Sequence, residues 1–176
     1  MKITIGGIPG AGKSTIGKML AEKLDHEFLS IGKIRRKLAQ ERGLTIDEYN
    51  SLPEDTDTPV DDYQRRLGKE GDNFVIEGRL AFHFIPDSIK LYFECSPRDA
   101  AERIFRDKRD SEKDVDSADQ IEKAIISRMI SDRERYKKHY GLDCYNPGLF
   151  DHVIDTTGRN IEEVLEEAIG ICQRYK

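Results

Sequence analysis

Eight consecutive residues, Gly7-Ile8-Pro9-Gly10-Ala11-Gly12-Lys13-Ser14, carry the plainest chemistry in this chain. They fit G-x-x-x-x-G-K-[ST], a spacing suited to holding a polyphosphate. Glycines let the backbone fold until successive N–H groups face inward around the phosphates. Lys13 then reaches the β and γ phosphates, the Ser14 hydroxyl ligates Mg²⁺, and Thr15 follows at the start of the helix. A triphosphate cradle leaves the reaction open. A GTPase needs an N-K-x-D motif, which is absent, and the chain is too short for a motor or transporter ATPase with its extra modules. The remaining expectation is a small kinase, whose acceptor must be read from the other residues.

Three further clusters are rich in charge: Ser30-Ile31-Gly32-Lys33-Ile34-Arg35-Arg36, Glu77-Gly78-Arg79-Leu80, and the stretch Arg128 to Tyr136. The elements that must position them follow from periodicity. The cradle lies between a β-branched strand (Lys2 to Gly6) and an amphipathic helix (Lys13 to Leu24) with Ile16, Met19, Leu20 and Leu24 at helical spacing. A second strand is predicted at Glu27 to Ser30, then a basic helix from Lys33 to Arg42. Thr45 with Glu48 forms a capping box. Thr58-Pro59 opens a helix to about Leu67, stopped by Gly68. Asn73 to Glu77, Ile89 to Cys95 and His152 to Asp155 read as strands. Helices are capped by Ser96, by Ser117 with Gln120 (running to Tyr140), and by Asn160 with Glu163. Strands alternating with helices predict an α/β fold: about five parallel strands in a three-layer domain spanning 1–176, helices on both faces, and a small helical lid.

The 176-residue chain has a formal net charge of -5, and its mean hydropathy is -0.67. An acidic chain is poorly suited to tracking nucleic acid. It holds no apolar run long enough for a membrane span and no secretory signal, so a cytoplasmic protein is expected. Cys95, Cys144 and Cys172 form no CxxC and read as core thiols.

Taken together, the cradle and the motifs S-x-G-x-I-x-R, E-G-R-L, R-x-x-x-D-x-x-R followed by Y-G-[IL]-D (Tyr140 to Asp143) and D-[ST]-T (Asp155 to Thr157) resemble cytidylate kinases, particularly the compact archaeal forms. The resemblance covers essentially the whole chain. It implies the P-loop kinase fold, an acceptor-binding region at about 31–70 and a lid at about 103–118. It implies transfer from ATP, with Mg²⁺, to CMP or dCMP. Arg36 and Arg79 are implied at the acceptor phosphate, where planar guanidinium groups bind a dianion in bidentate fashion. Glu77 is implied near the metal beside Ser14, and Asp57 and Asp61 near the acceptor.

Arg128, Asp132 and Arg135 share one helix face by their spacing. An acid flanked by two donors complements the amine and acceptors of cytosine. In the family these positions contact that base, with Ser30 a further contact. Arg103 and Arg106 are the implied lid arginines. The usual arginine repeat falls on Asp107 here, which leaves Arg106 and Arg109 as substitutes. A monomer is expected. A kinase for AMP or UMP, and a kinase-fold assembly factor with weak ATPase activity, remain open alternatives.

Overall fold

The computed structural model describes residues 1–50, 52, 56–107 and 117–175. Strands β1 (Lys2–Gly7), β2 (Glu27–Ser30), β3 (Phe74–Glu77), β4 (Ile89–Glu94) and β5 (His152–Asp155) form one parallel sheet in the order β2-β3-β1-β4-β5. Ile3, Ile5, Val75, Ile76, Leu91, Phe93 and Ile154 have no solvent exposure. These strands therefore read as apolar runs without alternation, as strands covered on both faces must. Each such side chain contributes roughly 1.5–3 kcal/mol by burial.

Helices flank the sheet: α1 (Lys13–Leu24), α2 (Ile31–Glu41), α3 (Ile46–Asn50), α4 (Thr58–Glu70), α5 (Ala81–Phe84), α6 (Pro97–Asp107), α7 (Ala118–Tyr140) and α8 (Ile161–Gln173). α1 packs on β2, β3 and α8, α5 lies against β1, and α6 pairs with α7. In register, Ser30 stands beside Glu77 and Ile5 beside Glu77 and Leu91. The carboxyl ends of β1, β2 and β3 thus come together, the edge at which open α/β sheets bind ligands.

Two expected boundaries move for identifiable reasons. α4 does not stop at Gly68 but runs on to Glu70. Gly68 serves packing: a Cβ there would lie 3.2 Å from Ile85 Cγ1 and 3.4 Å from the Phe84 carbonyl oxygen. The charged stretch does not leave the helix at Arg103. Ala100, Ala101 and Ile104 give α6 a buried face that carries it through Asp107. Of the expected lid, 108–116, with Arg109, lies outside the described residues. The capping boxes form as read: Thr45 exchanges bonds with Glu48, and Asn160 with Glu163. The three cysteines are buried. Among the described residues no helix is long and apolar enough to cross a membrane.

Candidate active site

The cradle turns sharply out of β1. Gly7, Gly10 and Gly12 adopt φ of 125°, 82° and 80°, angles at which a Cβ is strained. At Gly7 a Cβ would also lie 2.1 Å from the Phe93 carbonyl oxygen. Gly12 is the N-cap of α1 and offers no side-chain acceptor, and the first turn holds no acid. The opening amides and the positive end of the dipole are left for an anion.

Lys13 and Ser14 bring the chemistry to that anion. The Lys13 ammonium donates to the Ile8 carbonyl. Burial, then the Arg79 guanidinium, lowers its pKa to about 7, while Glu77 pulls the other way. Ser14 Oγ donates to Glu77 Oε1 at 2.8 Å, and Ser30 Oγ donates to the same oxygen at 2.5 Å. Glu77 is 7% exposed, so the register of β3 plants a buried carboxylate against the cradle's hydroxyl. This oxygen-only pair suits a hard cation that takes one carboxylate and completes its shell with phosphates and water. Among the described residues no cluster of three or more His, Cys, Asp or Glu forms a protein-only metal cage. Ser30 also caps α2 by accepting from the Lys33 amide at 3.2 Å.

Arg79, two residues past Glu77, donates through Nε to Asp132 Oδ2, and the Tyr145 hydroxyl donates to the same oxygen at 2.6 Å. Both partners of the Arg79–Asp132 pair are below a fifth exposed. The three residues expected to act as one face of α7 therefore diverge. Asp132 is committed to Arg79. Arg135 turns to Asp57, donating through Nη2 at 2.7 Å and Nε at 3.2 Å. Arg128 is exposed but close enough to act electrostatically on Lys13. Arg36 folds back over Gly32, where a Cβ would lie 3.4 Å from its Nη1.

Asp57 is a junction that spacing did not show. It precedes α4 yet makes no side-chain cap, since its carboxylate is bound by Arg135 from α7 and by Arg35 from α2 at 2.6 Å. Arg35 also donates to Asn50 at 2.7 Å. Asp61, one turn on and 6% exposed, accepts from the Tyr140 hydroxyl. Burial, the largest influence, raises its pKa above the usual carboxylate value. Arg35, Tyr140 and Tyr145 were not singled out as site residues. Arg35 and Tyr140 lie inside motifs already quoted, and Tyr145 follows one.

A cavity of about 340 Å³ opens on the other side of the cradle, lined among others by Gly10, Gly12, Thr15, Arg103, Arg106 and Thr156. Arg103 is anchored there, donating to the Thr156 carbonyl, to Thr156 Oγ1 at 3.2 Å and to the Arg159 carbonyl at 3.3 Å. Arg106 is exposed beside Asp107. A cradle at the carboxyl edge of a five-stranded parallel sheet, with a cavity on one side and the Arg79–Asp132 pair on the other, defines a P-loop protein of the kinase fold.

The comparisons narrow the class. The family described as an AAA domain matches residues 6–122. A cytidylate kinase of Methanosarcina mazei is 35% identical over 94% of this chain and 93% of its own length. One from Methanocaldococcus jannaschii is 36% identical over 93% of each. The chain belongs to the cytidylate kinase family. Among solved structures, a shikimate kinase from Bacteroides thetaiotaomicron superposes with a TM-score of 0.67 over 98% of both chains. At 16% identity that likeness speaks for the fold alone.

Proposed function

We propose that this chain transfers the γ-phosphoryl group of ATP to CMP or dCMP, releasing ADP and the cytidine diphosphate. The observation that carries the reading is the placement of Glu77-Gly78-Arg79. One segment holds a carboxylate against the cradle's Ser14 and an arginine against Asp132 of α7. Donor and acceptor phosphates would meet between them.

Phosphoryl transfer needs chiefly alignment and neutralisation of charge. Lys13 offsets the terminal phosphates of the donor, whose chain lies over the amides of Gly7, Gly10, Ala11, Gly12, Ser14 and Thr15. Ser14 and Glu77 are the residues that would hold Mg²⁺, which would neutralise phosphate charge when bound. Ser30 keeps Glu77 in place. Arg79, fixed by Asp132, together with Arg36 and Arg128, holds the acceptor phosphate. Asp61 and Arg135 face the nucleoside. Arg103 and Arg106 bring positive charge from α6 to the donor side. The attacking oxygen of a monophosphate is already ionised, so no general base is required. Holding the two substrates in line contributes ~7–11 kcal/mol.

The test is ADP release in a coupled assay with CMP, dCMP, UMP and AMP in turn. CMP or dCMP should stimulate release, with kcat/KM at least about tenfold above that for UMP, the scale of selection by a hydrogen-bonding site. Release indifferent to every acceptor, or a preference for AMP, would overturn the proposal.

A further inference from the structure

Along its length α7 carries residues bonded to the segment after β3 and to α4. Arg128 and Asp132 lie at the end where they act on Lys13. Arg135 meets Asp57 at mid-length, and Tyr140 at the far end donates to Asp61. From Asp132 to Tyr140 the helix advances ~12 Å, a span suited to a mononucleotide lying with its phosphate at one end and its base at the other.

At that far end two buried acceptors share one face of α4. Asp61 is 6% exposed and Gln64, three residues on, is 2% exposed. Gln64 Nε2 donates to the Val60 carbonyl at 3.4 Å, which leaves Oε1 buried without a hydrogen-bond partner. The neighbouring Asp61 carboxylate accepts from the Tyr140 hydroxyl through Oδ2. An unpaired buried acceptor costs about 1–3 kcal/mol, so this corner of the fold calls for a donor. Aromatic side chains gather around Tyr140. Tyr140 lies edge-on to Phe84 at 5.8 Å and to His83 at 6.2 Å, and Tyr136 is 6.0 Å from Tyr140.

We propose that Gln64 Oε1 and the Asp61 carboxylate select the acceptor's base by accepting the 4-amino N–H groups of cytosine, and that Asp132 is a positioning residue for Arg79. Cytosine offers donors at that position, whereas uracil offers a carbonyl. A corner holding a buried unpaired acceptor beside a carboxylate therefore repels the oxo-pyrimidine and pairs with the amino-pyrimidine. Gln64 is covered in this conformation, so seating a base moves α4 away from α7, to which Asp57 and Asp61 tie it. The assignment rests on CMP being the acceptor.

The experiment compares kcat/KM for CMP and UMP in wild type, Gln64→Met, Asp61→Asn and Asp132→Asn, with melting curves to confirm folding. Gln64→Met and Asp61→Asn should each lower the CMP/UMP ratio at least about tenfold, chiefly through CMP. Asp132→Asn should lower both acceptors together and leave the ratio within about twofold, as expected of a residue that serves the shared phosphate. A CMP analogue with hydrogen in place of the 4-amino group gives an arm that needs no altered protein at Asp61. Wild type should lose on this analogue what Gln64→Met loses on CMP, and Gln64→Met should be nearly indifferent to the change. An unaltered ratio in Gln64→Met and Asp61→Asn, or a ratio that collapses in Asp132→Asn alone, overturns the assignment while CMP kinase activity stands. Wild type without preference between CMP and UMP overturns the functional reading itself.

Discussion

A buried ammonium is expensive unless an anion meets it, and Lys13 illustrates the consequence. Burial and the adjacent Arg79 bring its pKa from 10.5 to about 7. Between those values the unfolded chain binds the proton that the folded chain lacks. Stability therefore rises with pH across that window and is lost as pH falls through 7. A triphosphate arriving at the cradle restores the charged form. Calorimetry at pH 8 in buffers of different ionisation heat should show proton uptake on binding of magnesium-ATP, and at pH 6 this uptake should vanish. Lys13→Met should show none at either pH and should melt higher than wild type without nucleotide. Equal proton uptake by Lys13→Met would refute the assignment. Lys13, Ser14 and Arg79 were visible in the sequence because a rigid motif brackets them. The partners of Asp57 were not, because ion pairs between α2, α4 and α7 depend on how helices pack, which no local spacing records.

Elements carry these residues into place, and their ends matter most. α8 opens on the Asn160–Glu163 capping box, and Asn160, Ile161 and Val164 line the cavity beside the cradle. Asn160→Ala should lower stability by about 0.5–2 kcal/mol, read as a shift of the urea midpoint. It should raise KM for ATP while leaving KM for CMP near the wild-type value. A rise in both would mean that the cavity does not belong to the donor. Caps and strands were legible because Thr45, Ser117 and Asn160 each stand three residues before a fitting partner, and because the strands are plainly apolar. The end of α4 was misjudged, since glycine stops one helix and admits a neighbour to another. Only the position of Ile85 tells which. α6 was cut short because charge on its outer face masked Ile104 on the inner one.

At the scale of the whole molecule, a net charge of -5 coexists with a local cluster of Lys13, Arg79 and Arg128. The positive field is local, fitted to small polyanions. The sheet edge brings the cradle, Glu77 and Arg79 together through register, and the fold itself was readable from the alternation of strands and helices and from the cradle motif. The contacts between α4 and α7 join residues far apart in sequence, Asp57 with Arg135 and Asp61 with Tyr140, and no local spacing announces them. The central claim is that phosphorus leaves ATP and arrives on CMP. Phosphorus NMR of ATP, Mg²⁺ and CMP mixed with the protein addresses it directly. The signals of CDP and ADP should grow together at equal rates, with inorganic phosphate absent. Growth of inorganic phosphate and ADP while CMP stays intact would contradict the account.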